Sequence, residues 1–276
     1  MDVRLTGLSG ALFDLLPPGL EPAYFAVTLL GDTVVVTGLL TLLYWAYRDR
    51  TATLTAVGYG FVGFGAIVAL KGFFAAPRPE VALIAAHGSG FPSGHALGAT
   101  VVYGGLALEH GWLEDRRTAA GVAGLVAAVA LSRVALRVHY LGDVVVGVAV
   151  GVVVLLAARG LARGIPRYTF GVAVWLAVPA LYVTGGSADA WGVLGGAVGG
   201  LLASLYVSAA PELRSRTEGA ALVAVGLPLV GVARFGLGTL PAVPGAAGLD
   251  ELAVVLVVAL LPVGFEWVGV DARLAG

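Results

Sequence analysis

The sequence predicts an all-α fold, a polytopic membrane helix bundle with about nine transmembrane helices. Three observations lead there. Of 276 residues, 59% are hydrophobic and only 12% charged, with a mean hydropathy of +0.95; a soluble domain carries about 25% charged residues. Nine apolar runs are candidates to cross about 30 Å of hydrocarbon, which takes roughly 20 helical residues each. The polar connections between those runs alternate in charge, as the two sides of a membrane demand.

In chain order, residues 1–21 come first. "MDVRLTGLSGALFDLLPPGL" has no basic stretch before a long apolar core and ends in Pro-Pro, so it reads as a short interfacial helix rather than a signal peptide. The nine runs then cover 24–47, 53–74, 93–109, 118–137, 142–162, 168–184, 190–209, 219–239 and 250–270. "YRDR" (47–50), "EDRRT" (114–118), "RGLARGIPR" (159–167) and "PELRSRTE" (211–218) follow the first, third, fifth and seventh runs and hold nine arginines. The positive-inside rule places these four in the cytoplasm, together with the C-terminus. The N-terminus and the alternate connections then face outward. "GGAVGG" (195–200) has the small-residue spacing of closely packed helices.

Composition also excludes. No cysteine is present, so disulfides and thiolate metal sites are ruled out. A net charge of −1 without a basic cluster gives no nucleic-acid footprint.

Three outward-facing blocks carry the chemistry. "KGFFAAPRP" (71–79) contains Lys71, the sole lysine, about one turn inside the end of the second run, and Arg78 just beyond it. Pro77 and Pro79 stop the helix between them. "PSGH" (92–95) opens the third run. Pro92 suits a helix start, Ser93 can cap it, Gly94 lets a ligand approach the backbone, and the free first-turn N–H groups attract an anion. His95 follows one residue on. "SRVALRVHYLGD" (132–143) ends the fourth run with Arg133, a charge that needs a partner there. It then sets His139 and Asp143 four residues apart on one helix face. An aspartate that accepts from Nδ1–H leaves the imidazole Nε2 free as a nucleophile. Each block alone has a plain structural explanation. Together they give three cations, backbone donors and two imidazoles on one face, as phosphoryl transfer without a metal requires.

Written as K-x6-R-P, P-S-G-H and S-R-x5-H-x3-D, the blocks resemble the type 2 phosphatidic acid phosphatase superfamily of integral-membrane lipid phosphatases. Its soluble relatives include vanadium-dependent haloperoxidases, from which the apolar composition separates this chain. "TLLGD" (28–32) is also similar to family sequence. The resemblance implies a six-helix-type phosphatase core at 22–185, with 186–276 adding C-terminal helices of unassigned role. It implies that His139 attacks phosphorus with Asp143 orienting it, and that His95 protonates the leaving group. Lys71, Arg78, Ser93, Gly94 and Arg133 would bind the phosphate oxygens. The substrate would be a lipid phosphate or a polyprenyl pyrophosphate held in the bilayer, with no metal, cofactor or nucleic acid required.

Outside the blocks, Arg234 with Asp250 and Glu251 reads as an ion pair locking two helices. Asp32 is an intramembrane acid and hence a functional candidate. His87 reads as solvated or bracing its loop, and His110 as solvated on the opposite face. A transporter using Asp32, Arg234 and Glu266, or a structural member of the same fold, is the alternative. It predicts paired, broken half-repeats, and no repeat is visible.

Overall fold

Short polar side chains set where the helices begin. In the computed structural model, which describes residues 2–17, 19–206, 211–238 and 245–269, Asp32, Asp49, Ser93 and Asp115 each cap a helix by accepting a backbone N–H of its first turn. The helices are α1 (Thr6–Leu15), α2 (Glu21–Leu29), α3 (Thr33–Ala46), α4 (Arg50–Phe74), α5 (Gly94–Glu109), α6 (Arg116–Ala135), α7 (Leu141–Ala162), α8 (Pro166–Thr184), α9 (Ala188–Tyr206), α10 (Arg216–Gly238) and α11 (Ala246–Trp267). No strand occurs among the described residues.

Each apolar run corresponds to helix, but nine is not confirmed as the number of spans. Six helices are long and apolar enough to cross a membrane, and the count reaches seven if α2 and α3, bent by 46°, form one broken span. The run at 93–109 becomes a 16-residue α5, about 24 Å long at 1.5 Å per residue. It packs inside the bundle against α4, α6 and α7. The run at 168–184 becomes α8, whose opening turn Pro166-Arg167-Tyr168-Thr169 dilutes its apolar character. The expected run ends at 207–209, 239 and 270, Met1 and Pro18 of the N-terminal segment, and the tail at 271–276 lie outside the described residues.

α4 is the central element, packing against α3, α5, α7, α8 and α9. α11 lies along α9, where the glycine spacing does its work. A Cβ on Gly199 would stand 2.8 Å from the Leu252 carbonyl oxygen, so only glycine permits that approach. Tyr44 and Trp45 of α3, both fully buried, donate to the Ala259 and Val258 carbonyls of α11 at 2.9 and 3.0 Å. α11 is thereby fastened to α3, and α10 packs against both.

The four arginine-rich connections meet at one end. Leu213 N–H bonds the Arg48 carbonyl, Thr53 meets His110, and Thr55 donates to the Gly164 carbonyl. His110 is not simply solvated there. Its ring stacks on Trp112 at 5.1 Å and meets Tyr47 edge-on at 4.9 Å. The opposite end carries the C-terminus of α4, the N-terminus of α5, the C-terminus of α6 and the N-terminus of α7. α1 closes over that end by burying Phe13 against Ala96, Ala130, Val134 and Val144.

Candidate active site

Those four helix ends deliver the three sequence blocks to one place. α4 stops at Ala75, whose left-handed φ of 44° turns the chain out, and α6 stops just before Arg137 at φ 57°. Non-glycine residues adopt this conformation rarely, and here it redirects both connections across the bundle end. Between them opens a cavity of about 350 Å³ lined by Lys71, Arg78, His95, Arg133 and His139, with Phe25, Thr28, Leu29 and Asp32 from the α2 side and His87 from the loop.

The cations are held by neutral groups. Lys71 Nζ donates to the Ser89 carbonyl at 2.9 Å. Arg78 donates to the carbonyls of His87, Gly88 and Val138 at 2.8, 3.1 and 3.0 Å, which stitches the two loops together. Arg133, only 5% exposed, gives Nη1 to the Thr28 hydroxyl at 2.8 Å. Its Nε is buried without a partner. A buried donor in that condition costs about 1–3 kcal/mol, and an anion oxygen in the cavity would satisfy it.

The partners of His139 fix its proton. Nδ1 lies 2.7 Å from the Gly90 carbonyl, which can only accept. Nε2 lies 3.0 Å from Arg78 Nη1, which can only donate. The imidazole is therefore the Nδ1–H tautomer, with its lone pair on Nε2 at the cavity. Burial pushes its pKa down to about 4, and Arg78, Arg133 and Lys71 push the same way against the raising effect of Asp143. At neutral pH the ring is uncharged. Burial likewise lowers Arg78 from its ordinary value.

Three expected residues sit behind the cavity rather than on it. Ser93 caps α5 and donates its backbone N–H to the Asp143 carbonyl at 2.9 Å. Gly94 faces the Lys71 stem, and a Cβ there would lie 3.4 Å from Cε. Asp143, fully buried, stands 3.5 Å from His139 Nδ1, so Gly90 is the nearer acceptor. The Asp143 oxygens are instead gripped by Arg4 at 2.7 and 2.9 Å.

The sequence reading missed Arg4 and the Gly90 carbonyl, and it noted the "TLLGD" stretch without giving its Thr28 a role. A backbone carbonyl has no sequence signature. Arg4 had one: like Arg78, it is an arginine on the side that the charge rule leaves outward. Away from the cavity, Arg234 pairs with Asp250 and Glu251, linking α10 to α11. Glu266 meets Arg214 at 2.9 Å. Among the described residues no cluster of acids and histidines could hold a metal ion.

No curated protein and no solved structure matches the chain. Residues 51–164, which hold all three motif blocks, match the PAP2 superfamily, the family the blocks resemble; its members are generally phosphatases, and a phosphatase-type activity is what this match supports.

Proposed function

We propose that the protein is a membrane phosphatase that hydrolyses a lipid phosphate or polyprenyl pyrophosphate through a phosphohistidine on His139. The single observation that carries this reading is the unprotonated His139 Nε2 facing a cavity with three cations whose own partners are neutral groups.

In the first step Nε2 attacks phosphorus and the P–O bond to the leaving group breaks. Arg78 releases Nε2 as the phosphoryl group arrives and turns its donors to the equatorial oxygens, which Lys71 and Arg133 share. Charge spread over those oxygens in the transition state then meets three cations. His95, on the cavity wall, takes the proton that the arriving phosphate monoanion carries and passes it to the departing oxygen. The Nδ1–H bond to Gly90 stabilises the positive charge that the ring gains on N–P bond formation. In the second step His95 takes a proton from water, which attacks phosphorus, breaks the N–P bond and releases inorganic phosphate.

On this reading residues 22–185 form the phosphatase core in a multi-pass protein of the cell membrane, with 186–276 as added helices. The arginine-rich end is cytoplasmic, so the cavity opens extracytoplasmically and the N-terminus lies on its side. A bilayer amphiphile could present its phosphate there while its chain stays in lipid.

The test is phosphate release by the detergent-purified protein from phosphatidic acid, a glycerophosphate-headed lipid phosphate and a polyprenyl pyrophosphate, with EDTA present throughout. Release that survives EDTA and is lost in His139→Ala is the expected result. Release that EDTA abolishes, or that the variant retains, would overturn the mechanism.

A further inference from the structure

The N-terminal segment, read from sequence as an interfacial helix, reaches the site itself. A fully buried carboxylate must be paired, and the partner of Asp143 comes from 139 residues away. Arg4 donates Nε to Oδ1 at 2.7 Å and Nη2 to Oδ2 at 2.9 Å, the two-pronged match that only a guanidinium offers. Oδ2 also accepts from the Tyr140 N–H at 2.9 Å.

Arg4 is itself held in place. Its carbonyl accepts from the Gly142 N–H at 3.0 Å, its guanidinium lies 4.6 Å over the Tyr140 ring, and Ser9 Oγ accepts from the Leu141 N–H at 2.8 Å. Gly142 leaves no room for a side chain against this segment, since a Cβ would fall 2.6 Å from the Arg4 Cα. The contact is built at both ends, in the segment and in the loop that receives it.

Its consequence lies at His139. That imidazole is faced by Lys71 from α4, Arg78 from the following loop, His95 from α5, Arg133 from α6 and Asp143 from α7. Among the described residues Asp143 is the anion beside the ring, 3.5 Å from Nδ1, and Arg4 offsets part of its charge. We propose that Arg4 is a positioning residue for the reaction at His139. By binding both Asp143 oxygens it leaves Gly90 as the acceptor of the Nδ1 proton and keeps the Nε2 lone pair toward the cavity. This rests on the phosphohistidine reading for its relevance to turnover, but the effect on His139 is a property of the ring alone.

The direction follows from charge. Without Arg4, an uncompensated carboxylate 3.5 Å from Nδ1 favours the imidazolium, so the ring stays protonated to higher pH. An opposite charge at this range moves a pKa by about 1–3 units.

Two readouts on the full-length protein test this. One is the acid limb of kcat/KM for a lipid phosphate. The other is the pH midpoint of His139 modification by diethyl pyrocarbonate, which reacts with the neutral ring and is read by mass spectrometry without any substrate. Arg4→Met should raise both by about 1–2 pH units, Arg4→Lys by less in the same direction. Arg4→Met combined with Asp143→Asn should return the modification midpoint to the wild-type value. Ser9→Ala, which loosens the segment but keeps the pair, should not move either readout. Unshifted midpoints in Arg4→Met overturn the inference; if that variant does not fold, an unshifted Arg4→Lys does so. A wild-type protein that hydrolyses nothing overturns the phosphatase reading instead, and the modification midpoints still decide the role of Arg4.

Discussion

The two ends of the bundle treat arginine differently. At the end formed by the arginine-rich connections, Arg50, Arg159 and Arg214 meet Glu218, Glu109 and Glu266 at 2.8–2.9 Å. At the other end, the cations that line the cavity are bound by carbonyls, a threonine hydroxyl and an imidazole. A cation already matched to a carboxylate has little left for a ligand. One held by neutral dipoles keeps its charge available, at a cost in desolvation that only an arriving anion repays. The first arrangement is architecture, and the second is what the proposed phosphate site needs.

The sharpest way to break this contrast is at His139, the proposed nucleophile. His139→Ala should lower phosphate release by about 10⁴-fold or more, as loss of a nucleophile does elsewhere, while leaving the helical content measured by circular dichroism unchanged. Substantial residual release would remove the reason for reading the cavity as catalytic.

Next come matched substitutions at the two ends. Arg133→Met removes a cavity cation together with the unpartnered Nε, so kcat/KM should fall about 10²–10³-fold with no loss of thermal stability. Arg50→Met strands Glu218, which is only 2% exposed, and breaking a buried pair costs about 3–5 kcal/mol. Its Tm in detergent should fall, while kcat/KM per folded molecule holds. The reverse pattern, activity lost at Arg50 and stability lost at Arg133, would erase the distinction between the ends.

The pH profile sharpens the picture of the nucleophile. His139 has its pKa lowered from 6.5 to about 4 by burial and the surrounding cations, so the neutral form, which the proposed attack needs, persists well below neutrality. Limiting kcat/KM by His139 therefore puts the acid limb near pH 4, and a limb near 6.5 would mean a solvated ring. The same shift makes stability fall as pH drops through that window, because the unfolded chain takes up the proton first.

These properties were unequally legible in the sequence. Helix positions followed from apolar runs because a membrane imposes a single length scale and polar breaks between helices. The span count did not follow, since a 16-residue α5 can be sheltered by its neighbours instead of spanning lipid alone. Lys71, Arg78, His95, Arg133 and His139 stood out because each is a charged or imidazole group where an apolar helix should not end that way. The acceptor of the His139 proton could not be read, since the Gly90 carbonyl is common to every residue. Nor could the Arg4–Asp143 pair, whose partners are brought together only when α1 buries Phe13 across the bundle end.

The smallest effect is expected at Arg234, and it separates position from role. α10 runs back toward the cavity end, yet Arg234 is paired there with Asp250 and Glu251 and is absent from the cavity wall. If what matters is the partner and not the end of the bundle, Arg234→Gln should behave like an architectural substitution. The pair is partly exposed, with 44% of the arginine side chain accessible, so the loss should be about 0.2–1 kcal/mol, read as a small drop in Tm. kcat/KM should stay at the wild-type value for every lipid in the panel. A tenfold fall for one lipid alone would instead make α10 and α11 part of substrate selection, and would move the boundary of the site beyond residue 185.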